Sequence, residues 1–429
     1  MKRVLIAQLP ELLGQKVKIA GWVYRYRPLA KTAFIVLKDC SGTVQCVSAP
    51  LLPKDLGLKL EDAIEVVGVA RAEPRSKQGY EFDVMEIRVL NAASHDLPFQ
   101  SSSDLAPVGL DVVLDHRPLS IRNEAVGATF QVQAEIVHLF REFLRAQRFT
   151  EIITSKIVSG GTEGGTNLFQ LKYFERTAYL AQSPQFYKEY GVASFERVFE
   201  TGHVYRAEPH ATSRHLTEYY SLDLEMGFID SVKDVIQLER ELLTHVFEGL
   251  NKNFSHSIAA ANQPVLPSML EVPIWDFEEC LARLKSAHGR TDLVDDLDPE
   301  AERQLCVLAE KECGVPAVFV LGFPLAARPF YTHPGLKPGA SASFDLLFRG
   351  LEITTGGQRL HTRASLEQAL EQRGMSPQSF SGHLRMFDLG MPPHGGFAIG
   401  LERLTALVLG IANIREATLY PRDRNRISP

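Results

Sequence analysis

Val204-Tyr205-Arg206-Ala207-Glu208-Pro209, then Arg214-His215-Leu216, then Asp223-Leu224-Glu225 is the stretch that decides how this chain reads. Hydrophobic runs flank a polar centre that also holds Tyr219. That pattern predicts a strand, a polar loop and a returning strand. Such a hairpin projects its polar groups from a rigid base toward one cleft. Two arginines and a histidine suit phosphate oxygens, and the carboxylates suit an ammonium or an adenine amino group.

Working outward, the chain of 429 residues is long enough for two or three domains. Its 45% apolar content supplies a large core, and 23% charged residues is ordinary for a soluble protein. No apolar run approaches the roughly 18 residues of a membrane span. The apolar run after Met1-Lys2-Arg3 is too short for a signal peptide. The cysteines, Cys40, Cys46, Cys280, Cys306 and Cys313, form no Cys-x-x-Cys pair, so free thiols in a reducing cytoplasm are expected rather than a zinc site. Residues 1–100 carry 14 Lys and Arg against 11 Asp and Glu, while the remainder carries 32 against 41. A mildly basic N-terminal module on an acidic body permits a local polyanion contact, and the net charge of −6 argues against general coating of nucleic acid.

Short strands are expected within 16–47, at Ala63–Ala70 and at Tyr80–Leu90, with a turn at Asp39-Cys40-Ser41-Gly42. Five of them in under a hundred residues predict a small Greek-key barrel of the OB type, a fold that commonly stacks single-stranded bases on aromatics in a basic groove. The Pro- and Ser-rich stretch 96–120 reads as a hinge. A long helix is expected near 123–148, further helices at about 231–252, 299–312 and 364–374, and strands at about 197–206, 217–229, 343–354 and 395–400. The fold class is therefore α+β with a largely antiparallel sheet.

Three segments belong together: Phe149-Thr150-Glu151-Ile152-Ile153-Thr154-Ser155, the opening hairpin, and Gly396-Phe397-Ala398-Ile399-Gly400-Leu401-Glu402-Arg403. In order and spacing they resemble motifs 1, 2 and 3 of class II aminoacyl-tRNA synthetases. Gln182-Ser183-Pro184-Gln185-Phe186-Tyr187-Lys188, the run Phe344-Asp345 to Gln358-Arg359, and the tail Pro421 to Pro429 resemble aspartyl-tRNA synthetases of the compact, archaeal type, without the large inserted domain. The resemblance implies an N-terminal OB-fold anticodon-binding domain (1–95), a hinge (96–120) and a class II catalytic domain built on an antiparallel sheet flanked by helices (121–429). Ser155 stands where the family has proline, which bears on the motif 1 dimer interface rather than on the chemistry.

The activity implied is ATP-dependent formation of aspartyl-adenylate and transfer to the 3′ end of tRNA(Asp), with tRNA(Asn) as a second acceptor, by a cytoplasmic homodimer. In this register Arg206 grips the α-phosphate and Arg403 the γ-phosphate, aided by Arg214 and His215. Glu208 accepts from the adenine amino group, and Tyr219 stacks on the ring. Asp345, Glu352 and Thr355 match the Mg²⁺ positions. Glu163, Gln185 and Asp223 match the ammonium side of aspartate, and Lys188 and Arg359 its side-chain carboxylate. On the barrel, Tyr24, Arg25, Phe34, Gln45 and Lys77 match anticodon positions. In relatives strict for tRNA(Asp) the position of Tyr24 is tryptophan and that of Lys77 is lysine; here only the second agrees, which favours the relaxed acceptor range. Two other readings stay open: a synthetase-derived ligase acting without RNA, which the barrel counts against, and a non-catalytic RNA-binding paralogue, which the intact Arg206, Asp223, Glu352 and Arg403 count against.

Overall fold

The computed structural model describes residues 1–29, 32–48, 57–76, 78–93, 96–161, 167–209 and 212–429. They form two compact units, Met1–Glu124 and Ala125–Pro429.

In the first unit, strands β1 (Lys16–Pro28), β2 (Ala33–Asp39), β3 (Gly42–Ser48), β4 (Ala63–Ala72) and β5 (Tyr80–Asn91) close a barrel in the order β1-β2-β3-β5-β4. Period-two alternation builds it. On β2, Ala33, Ile35 and Leu37 are buried while Phe34, Val36 and Lys38 are only half-buried on the outer face. Val17, Ile19, Val23, Val44, Cys46, Val66 and Phe82 complete the interior. A bulge between Val23 and Arg25 breaks the β1–β2 register and re-aims Tyr24. The stretch expected to be a hinge contains two short helices, α1 (Leu110–Asp115) and α2 (Arg117–Ser120). It is tied to the barrel: the Tyr24 hydroxyl donates to the Ser101 carbonyl at 3.2 Å, Arg25 donates to the Ser102 carbonyl at 3.2 Å, and Arg122 pairs with the buried Glu61 at 2.8 Å.

The second unit holds β6 (Thr150–Glu151), β7 (Ile157–Val158), β8 (Gln170–Tyr173), β9 (Arg176–Leu180), β10 (Arg197–Tyr205), β11 (Glu218–Gly227), β12 (Ile274–Asp276), β13 (Ala317–Leu321), β14 (Ser343–Phe348), β15 (Leu351–Gln358) and β16 (His394–Gly400). Eight of these form one mostly antiparallel sheet, ordered β12-β13-β14-β15-β16-β11-β10-β6, and β7-β9-β8 form a small separate sheet. The helices are α3 (Glu124–Ala146), α4 (Gln185–Phe195), α5 (Val232–Asn253), α6 (Ser255–Ala260), α7 (Phe277–His288), α8 (Pro299–Cys313), α9 (Arg363–Gln372), α10 (Ser381–Phe387) and α11 (Leu401–Leu409). Ser231 starts α5 as a capping box with Asp234, and Asp298 caps α8 ahead of Pro299.

The main core lies between one face of the sheet and helices α3, α5 and α11. Leu222 and Leu224 of β11, Phe397 and Ile399 of β16, and Phe344 and Leu346 of β14 meet Phe140, Leu242, Val246, Phe247 and Leu404. One expectation is corrected: 343–354 is not a single strand but a hairpin, β14 and β15, turned at Arg349 and Gly350 with left-handed φ of 48° and 84°. The turn was missed because Arg349 is a poor sequence signal for that conformation.

Candidate active site

The sheet face opposite the core carries the site. Along β11 the residues on this face are Tyr219, Ser221, Asp223 and Glu225, alternating with core-facing Leu222 and Leu224. On the neighbouring β16 the same face shows Gly396, Ala398 and Gly400, in register with Glu225, Asp223 and Ser221, after His394 at the start of the strand. A middle stretch with nothing larger than a methyl on this face gives a floor on which flanking groups meet. Gly396 has to lack a Cβ, which would fall 2.1 Å from the Leu224 carbonyl oxygen and 2.5 Å from Glu225 Oε2.

Over one end of this floor, Arg206, Glu208, Arg214, His215, Tyr219, Glu352, Thr355 and Arg403 line a single cleft. Arg206 leaves β10 with its guanidinium 5.7 Å from the Tyr219 ring centre. His215 lies 3.7 Å from Glu208, and the loop carrying Arg214 is anchored where the Ile414 amide donates to Ser213 O at 2.9 Å. Arg403 occupies the first turn of α11 and donates to the Glu352 carbonyl at 3.1 Å. Its neighbour Glu402 is buried and acts as a strut, both oxygens accepting from the Tyr220 amide at 3.0 and 3.1 Å. Burial pushes the Glu402 carboxyl up to about 7, against the pull of its backbone donors. Three arginines in one cleft suit a polyphosphate.

Toward the other end lies a buried ionic cluster. The Ser221 hydroxyl, itself lining the cleft, donates to Asp223 at 2.5 Å. Lys188 of α4, 1% exposed, reaches Asp223 at 3.1 Å and Glu225 at 3.4 Å. Arg359, just past β15, donates through Nε to Glu225 at 3.0 Å and through Nη2 to the Gly396 carbonyl at 3.0 Å. Gln185 donates to Glu189 at 2.6 Å. Burial alone would raise the Glu225 carboxyl, but Arg359, Lys188 and His394 together hold it below its ordinary value. Glu225, central to this cluster, was not among the candidate residues. Its signal was the unbroken alternation Tyr219, Ser221, Asp223, Glu225.

The candidate metal residues are only partly free to act. Glu352 accepts from the Thr355 hydroxyl at 2.8 Å and borders the arginine cleft. Asp345, by contrast, is engaged on both oxygens by Arg328, at 3.1 and 2.7 Å. Burial, first, and then Glu352 push its carboxyl up to about 6 against the pull of Arg328. Glu352 and Thr355 fit a hard cation that keeps substrate oxygens in its shell; Asp345 joins only by exchanging away from Arg328. Among the described residues, no group of three His, Cys, Asp or Glu side chains is arranged to enclose a metal.

On the barrel, Phe34 and Gln45 share the outer surface of β2 and β3, and Gln45 donates to Glu81 at 2.7 Å. Tyr24 lies on β1 with the Lys38 ammonium 4.8 Å from its ring centre. Lys77 and Glu163 lie outside the described residues.

An α+β sheet with an arginine cleft beside a buried cation–carboxylate cluster, together with an OB barrel, fits a class II aminoacyl-tRNA synthetase. The family described as class II tRNA synthetases (D, K and N) matches residues 109–424, and the OB-fold nucleic acid binding domain family matches residues 17–90. The chain belongs to the class II aminoacyl-tRNA synthetases of the aspartate, lysine and asparagine group. Among relatives, it is 45% identical to the aspartate–tRNA(Asp/Asn) ligase of Deinococcus radiodurans, over 100% of this chain and 99% of that one. It is 38% identical to the aspartate–tRNA(Asp) ligase of Pyrococcus abyssi, over 98% and 97%. Among solved structures, it is similar to the asparaginyl-tRNA synthetase of Pyrococcus horikoshii complexed with asparaginyl-adenylate, with a TM-score of 0.90 and 30% identity over the full length of both chains.

Proposed function

We infer that this enzyme attaches aspartate to both tRNA(Asp) and tRNA(Asn). The chain is an aspartate–tRNA ligase, an ATP-dependent enzyme that activates L-aspartate as its adenylate and then transfers it to tRNA. The observation that carries the choice of amino acid is the pair of buried cations, Lys188 and Arg359, at the far end of the site from the arginine cleft. They suit a side-chain carboxylate. Asparagine would set an amide NH₂ donor against these two cationic donors, a mismatch that lets polar sites reject analogues by about 10⁴–10⁵.

The residue roles belong to the same reading. Arg206 and Arg403 are the catalytic residues, holding the α- and γ-phosphates of a bent ATP, with Arg214 and His215 assisting. Glu208 and Tyr219 hold adenine. Asp223 and Gln185 hold the aspartate ammonium. The aspartate carboxylate then lies in line with the α-phosphorus, so alignment and charge neutralisation do the catalytic work. The family generally uses ATP with a divalent metal. Mg²⁺ at Glu352 and Thr355, with Asp345 after exchange, would supply further neutralisation of phosphate charge.

The relaxed acceptor range is supported by Tyr24 and by the names of the relatives: those at 45% and 43% identity are aspartate–tRNA(Asp/Asn) ligases, while those at 38% include aspartate–tRNA(Asp) ligases. Charging purified tRNA(Asp) and tRNA(Asn) transcripts with labelled aspartate tests it. A kcat/KM ratio below about 10³ is expected; a larger one, worth roughly 4 kcal/mol, rules the relaxed range out. In the same assay Phe34→Ala should weaken both reactions alike by about 1–3 kcal/mol, the worth of one lost base stack, and leave tRNA-free adenylate formation intact.

A homodimer is also proposed. Ile153, in the motif 1 segment beside Ser155, is 95% exposed, and Phe195 and Phe228 are also exposed, apolar surface that calls for a cover. Sedimentation at micromolar concentration should give the mass of two chains; a fully active monomer would overturn this.

A further inference from the structure

Beneath the aspartate cluster lies a second layer that the proposed roles do not use. Glu189 is 0% exposed on α4, one turn after Gln185. One of its oxygens accepts from Gln185; the other, Oε2, has no hydrogen bond among the described residues. Facing it at 3.7 Å is Nε2 of His383, on α10, which likewise has none. The other ring nitrogen of His383 is 2.9 Å from the Tyr190 hydroxyl, and Phe186 stacks on the ring at 3.9 Å. Two lone pairs face each other in a buried site unless one proton lies between them.

The surrounding charges decide what that proton does. Lys188 is matched by Asp223 and Arg359 by Glu225, so the two cations that would receive the substrate carboxylate already face two carboxylates. His394 of β16 keeps one ring nitrogen on the Pro392 carbonyl at 2.9 Å and is itself buried. Glu189 is therefore the group whose ionisation would turn a balanced pocket negative.

We propose that Glu189 carries a proton in the aspartate-binding enzyme and thereby determines specificity: when neutral it lets the pocket accept a side-chain carboxylate, and when ionised it repels one. It is a positioning residue that acts through Gln185 and the Lys188–Arg359 cluster. The proton sits on Oε2 and is directed at Nε2 of His383, whose Nδ1–H then donates to Tyr190. Burial first, and then Glu225, push the Glu189 carboxyl up to about 8, against the pull of Gln185, Arg359 and Lys188. Burial and His394 push His383 down to about 4, so the ring is neutral; with its one hydrogen on Nδ1 toward Tyr190, Nε2 is left to accept from the carboxyl. A cavity of ≈ 670 Å³ lined in part by Gln182, Ser183, Tyr190 and His383 offers a route to solvent.

The inference rests on the aspartate reading, and one experiment separates the two. Aspartate-dependent ATP–pyrophosphate exchange is measured from about pH 6.5 to 9 in the wild type and in Glu189→Gln, with asparagine as a competitive inhibitor. Between about pH 7 and 9 the wild-type kcat/KM for aspartate should fall about tenfold further than that of the variant, in KM rather than kcat. Inhibition by asparagine, whose side chain is neutral, should show no such extra fall. Parallel profiles in the two proteins overturn the proposal. Absence of exchange in the wild type at every pH overturns the aspartate reading instead. Should Glu189→Gln fail to fold, calorimetry on the wild type in buffers of different ionisation enthalpy decides. Near about pH 8.5, aspartate should take up more protons on binding than asparagine; equal uptake overturns the proposal.

Discussion

Arg359→Leu is expected to lower aspartate-dependent pyrophosphate exchange by at least about a hundredfold, since losing a charged partner in a buried site costs about 3 kcal/mol or more. The loss should have a second signature. Arg359 is the first of the cations that hold the Glu225 carboxyl down against its burial. Without it burial dominates, the folded-state pKa of Glu225 rises, and an ionised Glu225 becomes destabilising. That penalty applies above the ordinary carboxylate range, about 4.3, and is relieved as pH falls and Glu225 takes a proton. The difference in melting temperature between variant and wild type should therefore shrink from pH about 7 toward about 5. A constant gap would mean that Glu225 is not held by Arg359, and wild-type exchange would remove Arg359 from the aspartate site.

Arg403→Ala should be as damaging to activation and far milder to the fold. Its side chain is 32% exposed and its nearest carboxylate, Glu352, lies 3.8 Å away and is itself 34% exposed. Losing such a contact costs stability little, roughly 0–1 kcal/mol. Losing a preorganised cation from a polyphosphate costs about 3–4 kcal/mol of transition-state stabilisation, a drop of 10²–10³ in kcat/KM for ATP. Thermal melting should change little while exchange collapses. A variant that keeps its exchange rate would show that the cleft does not hold ATP phosphates.

Much of this architecture was legible in the residues because the polar groups fall at strand spacing. The polar groups around Tyr219 and Asp223 read as a hairpin facing one cleft, and Gly395–Gly400 read as a strand. The barrel was legible from alternation on β2 and β3. What escaped notice has physical causes. Helix α4 was invisible because its polar residues, Gln185, Lys188 and Glu189, are the buried ones, inverting the usual amphipathic pattern. Glu225 was given no role: alternation places it on the site face, but nothing local announces that Lys188 and Arg359 will meet it from distant segments. Asp345 matched a metal position in sequence, yet its partner Arg328 comes from a loop outside the motif.

The ties between the barrel and the stretch after it also bear on how this protein can be dissected. Glu61 takes a hydrogen bond from Ser101 and an ion pair from Arg122, and Asn123 donates to Ser101 O at 2.9 Å. A fragment cut at residue 95, where strand patterning ends, would strand the Glu61 carboxylate, 4% exposed in the intact chain, with neither partner. The compact unit is Met1–Glu124: the segment that reads as a tether is a buttress bonded to the barrel, and a fusion or truncation should be spliced beyond it.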